Sequence, residues 1–287
     1  MIASAFFFKA VLLCYFAGTA LFSFDLWQER HRRQNPSDPN GVSPEEENHA
    51  ATRSQRLALW VTAAGVLCHT AALILRIGAA GEVPFTSLRE ALSFFSWAVV
   101  IVFFWVEKRY RIYIVGSFAL PLAFLFLVSA SALPNEIRNV HLTLMGTWLG
   151  IHTTLSLLGI VAFAMAFIAG LMYLLQERLL KSKRLGSLYH NLPSLSMLDQ
   201  WNQQAILVGF PLLTLGMITG AMWSEYATGA FWSLDHPKQW IAIGIWIFYF
   251  VVLQGRINAG LRARKAARLA ILGFLGAMLI FLTLRPA

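Results

Sequence analysis

Two histidines lie inside long apolar runs of this chain, His69 in LCHTAALILR and His152 in WLGIHTTLSLLG. An imidazole in a hydrocarbon setting is costly to place, and such a residue marks a functional position by default. Two imidazoles facing each other across a bundle can fill both axial positions of a haem iron. The alternative for each ring is a hydrogen bond to a neighbouring carbonyl or hydroxyl. A third feature is the stretch Gly216 to Trp240, GMITGAMWSEYATGAFWSLDHPKQW, strung between two apolar runs. Read as a loop, it offers the flat faces of Trp223, Tyr226, Phe231, Trp232 and Trp240, with Asp235 near its end. Those faces suit a flat apolar ligand at a membrane surface, and a porphyrin has that shape.

Several residues could support such a site. Arg76 follows His69 by seven residues and so shares its helix face. A guanidinium there can pair with a haem propionate or with Glu82 or Glu90 in the following segment. His236, directly after Asp235, is a candidate secondary ligand or propionate contact, and His141 is a second loop histidine. At helical spacing His152, Ser156, Gly159, Ala162, Ala166 and Gly170 form one small-residue face. That face admits either a flat ligand or a closely packed helix. Gly216 to Gly220 is a GxxxG helix-contact pattern, and Pro211 is expected to kink its helix. Cys14 and Cys68 lie in different runs, form no CxxC, and are read as packing residues. No phosphate loop, HExxH, Ser-His-Asp set or paired-carboxylate site is present, which removes hydrolase and ATPase readings.

The elements that must position these residues follow from composition. Of 287 residues, 57% are hydrophobic and 13% charged, far from the soluble average of about a quarter charged. Crossing about 30 Å of hydrocarbon takes roughly 20 helical residues. Eight runs meet or approach that length: Ile2 to Phe24, Leu57 to Ile77, Ala91 to Val106, Ile112 to Ala132, Trp148 to Leu175, Ala205 to Trp223, Trp240 to Leu253 and Ala267 to Leu284. The first contains Lys9, has no A-x-A-like cleavage site after it, and is read as a retained span. The expected fold is an all-α, polytopic membrane bundle of about eight transmembrane helices, one domain over residues 1–287.

Lysine and arginine collect in four alternate connections, around Arg30 to Arg56, Lys108 to Arg111, Arg178 to Arg184 and Arg256 to Arg268. The positive-inside rule makes those cytoplasmic and gives an N-out, C-out topology. His69 and His152 then share the outer half, about two turns and one turn from their helix ends, near the aromatic segment. The net charge of +9 reflects this topology and contact with the lipid bilayer; there is no nucleic-acid signature. Residues 28–55, with three prolines and Glu45 to Glu47, read as a flexible cytoplasmic loop. After Pro193, Ser194 is expected to cap a short interfacial helix before the sixth span. No internal repeat points to a transporter.

Taken in order, TGAMWSEYATGAFWSLDHPKQW, LCHTAALILR, SLREALSFFSW, WLGIHTTLSLLG and ILVGFPLLTLGMITG resemble the cytochrome c assembly membrane proteins of the CcsA, CcmC and HemX group. The likeness runs from about Leu57 to Leu282. In that group a WWD loop and flanking histidines present haem at the outer membrane face. The resemblance matches Trp223, Gly229, Trp232 and Asp235 to the loop and His152 to the histidine upstream of it. His69 resembles a second-span histidine of HemX-like members. Thr228 and Leu234 stand where CcsA-type loops carry further tryptophans, and Gln254 where they carry a histidine.

The expectation is non-covalent, b-type haem on His152 and His69, with Trp223, Trp232 and Asp235 covering the macrocycle edge. Arg76 would neutralise a propionate and His236 would assist. The implied role is haem delivery or holding in cytochrome c maturation, beside a CcsB-like subunit and apocytochrome c in the bacterial inner membrane. The chain would act as part of a synthetase rather than as an enzyme alone. The alternative is a HemX-like regulator of tetrapyrrole synthesis acting through glutamyl-tRNA reductase.

Overall fold

The computed structural model describes residues 2–32, 53–80, 87–134, 143–183, 187–231, 237–258 and 260–283. Those residues form helices throughout: α1 (Ile2–Arg32), α2 (Arg53–Ala80), α3 (Leu88–Tyr110), α4 (Gly116–Ser131), α5 (Thr143–Lys181), α6 (Ser187–Asn191), α7 (Leu195–Thr228), α8 (Pro237–Ile257) and α9 (Ala263–Thr283), with a 3₁₀ turn at Tyr113–Val115 leading into α4. Seven of the described helices, α1 to α5, α7 and α8, are long and apolar enough to cross a membrane. The eighth apolar run is α9. A polytopic all-α bundle is the only arrangement of these apolar helices that satisfies backbone polar groups in lipid.

Helix ends follow local capping chemistry. Ser87 caps α3 by accepting from the Glu90 amide at 3.3 Å, the Ser-x-x-Glu pattern of a capping box. Ser194 accepts from the Met197 amide at 3.3 Å and so caps α7 itself. No separate interfacial helix follows Pro193; α7 runs unbroken from Leu195 through Pro211 to Thr228. A five-residue α6 precedes it instead. Gly229 ends α7 at φ 75, its amide bonded to the Glu225 carbonyl at 2.8 Å, the left-handed cap that glycine adopts without strain.

Two sets of helices meet along α3 and α5. In the first, α1 packs on α2 and α4, and α3 on α4; in the second, α5 packs on α7 and α9, with α8 against both. The seam of α1 places Val11, Tyr15, Gly18, Phe22 and Asp25 inward at alternating spacings of four and three. Asp25 ends that seam, accepting from Ser54 Oγ and, at 2.6 Å, from Gln55 Nε2 at the start of α2. Large apolar residues cover the outside of the bundle, among them Leu67, Ile74, Val251 and Leu275, as a hydrocarbon solvent requires. Trp27, Trp60 and Trp105 are exposed towards one end, and Tyr226, Phe231 and Trp240 towards the other. Such placement matches the aromatic belts of membrane interfaces.

Candidate functional site

The crossing of α5 and α7 builds the surroundings of His152. Glycine and other small residues let the two helices approach until backbone meets backbone. A β-carbon on Gly159 would lie 3.0 Å from the Leu213 amide nitrogen, and one on Gly209 would lie 2.6 Å from the Phe163 ring. One on Gly216 would collide with Ser156. Deeper along α5 the face stays filled: Asn202 Nδ2 donates to the Ala166 carbonyl at 2.8 Å, and Gly170 abuts the Ala267 carbonyl of α9. The small-residue face below His152 is therefore a helix contact, and the GxxxG pair belongs to it.

His152 closes the end of that contact nearer the start of α5. Its ring covers Gly220, where a β-carbon would lie 2.6 Å from Cε1 and Nδ1. Nδ1 lies 2.7 Å from the Gly216 carbonyl. A carbonyl only accepts, so Nδ1 carries the proton and Nε2 keeps its lone pair. Nε2 makes no hydrogen bond to a described residue. A histidine held through Nδ1–H by a backbone carbonyl, with Nε2 free, has the tautomer and orientation of a metal-ligating imidazole. Gly216, Gly220 and Trp223 share one face of α7 at spacings of four and three. Trp223 therefore stands one turn outward of the His152 contact, and the antiparallel register sets the α5 turn carrying Trp148 opposite it. Both tryptophans are half-buried.

His69 has a different setting. It is fully buried among α1, α2 and α3. Nδ1 is 3.2 Å from Tyr15 Oη and Nε2 is 3.0 Å from Ser93 Oγ, and the Tyr15 ring meets it edge-on. Both ring nitrogens are thus engaged, and a ligand on His69 would have to displace one hydroxyl. His69 and His152 make their contacts with different helices, α1 and α3 against α7. His69 is eleven residues from the end of α2 at Ala80 and His152 nine from the start of α5 at Thr143, about 16 Å and 14 Å at 1.5 Å per residue, because both helices run past their apolar spans.

Arg76 pairs with Glu90, Nε and NH2 each 2.9 Å from Oε1. The pair joins α2 to the first turn of α3, and Glu90 is one of the partners the sequence offers Arg76. Arg89 beside it donates to the Leu133 carbonyl at 2.8 Å and stacks over Phe8. Trp232, Asp235, His236, His141 and Glu82 lie outside the described residues. The aromatic stretch is not a loop throughout, since Gly216 to Thr228 is helix and Trp223 projects from its last turns. Ser224 Oγ donates to the Ala230 carbonyl at 2.9 Å and folds the chain back past the cap.

Among the described residues no group of three or more His, Cys, Asp or Glu is arranged to hold a bare metal ion. A haem iron brings its equatorial nitrogens and asks only axial ligands of the protein, and His152 fits that request. Sequence reasoning missed Tyr15, Ser93 and Trp148, and placed Gly220 in a helix contact without tying it to His152. The signal for Gly220 was the GxxxG pair, which marks close approach without naming its partner.

Comparison with known proteins gives the site a context. The family model described as cytochrome C assembly protein matches residues 85–286, a span that contains His152 and Trp223 but not His69 or Arg76. Cytochrome c biogenesis protein CcsA of Prochlorococcus marinus strain AS9601 is 30% identical over 236 residues, covering 74% of this chain and 76% of that protein. The CcsA protein of Guillardia theta is 29% identical over 237 residues, covering 75% and 78%. Among solved structures, cytochrome c heme lyase CcmF aligns with a TM-score of 0.64 at 13% identity, over 100% of this chain and 47% of its own. This chain thus spans about half the length of that structure, and the likeness is one of fold. With a family match over residues 85–286 and a relative 30% identical across 74% of the chain, the chain belongs to the cytochrome c assembly protein family.

Proposed function

We propose that the chain handles haem during cytochrome c maturation, holding it at the outer ends of α5 and α7 for transfer to apocytochrome c. The observation that carries this reading is the fixed tautomer of His152. Its Nδ1–H is committed to the Gly216 carbonyl and its Nε2 is left as a ligand. Trp148 and Trp223, one turn outward, supply apolar faces for the macrocycle, and Trp232 and Asp235 would be its further contacts. Haem held here would be b-type and non-covalent, with iron supplying the redox chemistry. His152 would orient it and the tryptophans would exclude water. His69 is the second axial candidate only if Tyr15 or Ser93 gives up its hydrogen bond. Arg76, neutralised by Glu90, has its charge available to a propionate only by sharing.

The relatives named above are cytochrome c biogenesis proteins, and the positive-inside pattern favours N-out, C-out insertion with this site at the outer face. A CcsB-like subunit is the expected membrane partner. In cells lacking the protein, haem staining of c-type cytochromes should disappear while glutamyl-tRNA reductase stays at its normal level. Normal c-type cytochromes with altered reductase levels would contradict the proposal and support the regulatory reading instead.

A further inference from the structure

Among the described residues, the end of the bundle where α5 stops and α9 starts carries more cations than carboxylates. Helices α5 and α9 contain one carboxylate between them, Glu177. Both its oxygens are occupied, Oε1 by Lys181 at 2.7 Å and Oε2 by Arg264 at 3.1 Å. The Glu177–Arg264 pair fastens the two helices together, which brings Arg178 to the same end as Lys265 and Arg268. Those three side chains are exposed and make no ion pair with a described residue. Lys265 and Arg268 also sit in the first two turns of α9, which has no acidic residue in its first turn. Cations there oppose the positive pole of the helix macrodipole, so the fold gains if an anion from outside answers them.

The surface continues into hydrocarbon. Lys265, Arg268, Leu272, Leu275 and Leu279 recur at spacings of three and four on one exposed stripe of α9. From Arg268 to Leu279 is eleven residues, about 16 Å at 1.5 Å per residue, close to half of a hydrocarbon core about 30 Å thick. A cationic head region above an apolar stripe one leaflet deep has the chemistry of an anionic phospholipid. A soluble acidic protein could answer the charges but would have no use for the leucine stripe.

We infer that the α5–α9 end is a binding site for an anionic phospholipid, its phosphate at Lys265 and Arg268 with Arg178 beside them, and its acyl chain along Leu272, Leu275 and Leu279. The inference does not depend on haem. Each basic residue near an anionic lipid surface is worth about a fivefold change in affinity, so removing two should cost roughly 25-fold. The test is titration of the detergent-purified full chain with fluorescent phosphatidylglycerol and with the matching phosphatidylcholine. The same titration is made for Lys265→Gln/Arg268→Gln and for a control, Lys108→Gln/Arg109→Gln, which removes two charges from the end of α3. Thermal melting of all three proteins verifies folding. The expected result is a preference for phosphatidylglycerol in the wild type and the control, lost in the α9 variant and not competed by inorganic phosphate. Equal binding of the two lipids, equal loss in the control, or displacement by phosphate would overturn the inference.

Discussion

His152 and Gly220 are matched to each other: the imidazole of one lies over the α-carbon of the other, at a distance that leaves no room for a β-carbon. The match fixes the ring plane, and the Gly216 carbonyl fixes which nitrogen is protonated. Together they leave Nε2 as the one polar atom of the ring without a described partner.

Gly220→Ala should therefore act on the ligand before it acts on the fold. Overpacking of this kind costs about 1–3 kcal/mol, and the atoms that must move are Cε1 and Nδ1 of His152. Thermal melting is expected to fall modestly, while any haem spectrum changes shape or is lost. An unchanged spectrum with a large loss of stability would mean that the contact serves packing alone.

The hydrogen bonds around His69 make a different prediction. Tyr15→Phe and Ser93→Ala each leave one nitrogen of a fully buried ring without its partner, and each should cost about 1–3 kcal/mol. Because both act through the same imidazole, they should combine non-additively, and both effects should vanish in a His69→Leu background. Additive losses measured by chemical denaturation would show that the two hydroxyls are independent of the ring.

Arg76 is half-buried and Glu90 buried where α2 ends and α3 begins. Removing one partner weakens the compensation of the other charge, so Arg76→Met or Glu90→Met alone should destabilise the fold and the double substitution should recover part of that loss. If Arg76 instead serves chiefly to neutralise a propionate, Glu90→Met would leave haem content intact or raise it. Haem content of the two single variants separates these roles.

The legible part of this protein was the part governed by length and apolarity. Each of the eight apolar runs read from the sequence is centred on one helix, because a hydrocarbon span leaves a compositional mark along the chain itself. Helix ends were less visible: α5 and α7 extend beyond their apolar centres, and the stretch from Gly216 to Thr228 reads as a loop by its Gly and Trp content yet is helix. That helix ends at Gly229, in a left-handed conformation. The site was half legible. His152 and its small-residue face were evident, but whether a ligand or a helix filled that face depended on the register of α7. The partners of His69 lie 54 and 24 residues away in the chain, a separation at which local pattern carries no information.

The most direct test of the haem-handling proposal is the absorbance spectrum of the purified protein, oxidised and then reduced, beside His152→Ala and His69→Ala. The expected result is a Soret band with sharp reduced bands that His152→Ala abolishes. His69→Ala should weaken or shift the same bands if that ring gives up a hydroxyl to ligate. A wild-type protein that stays colourless with excess haem, or a spectrum untouched by His152→Ala, would contradict the assignment.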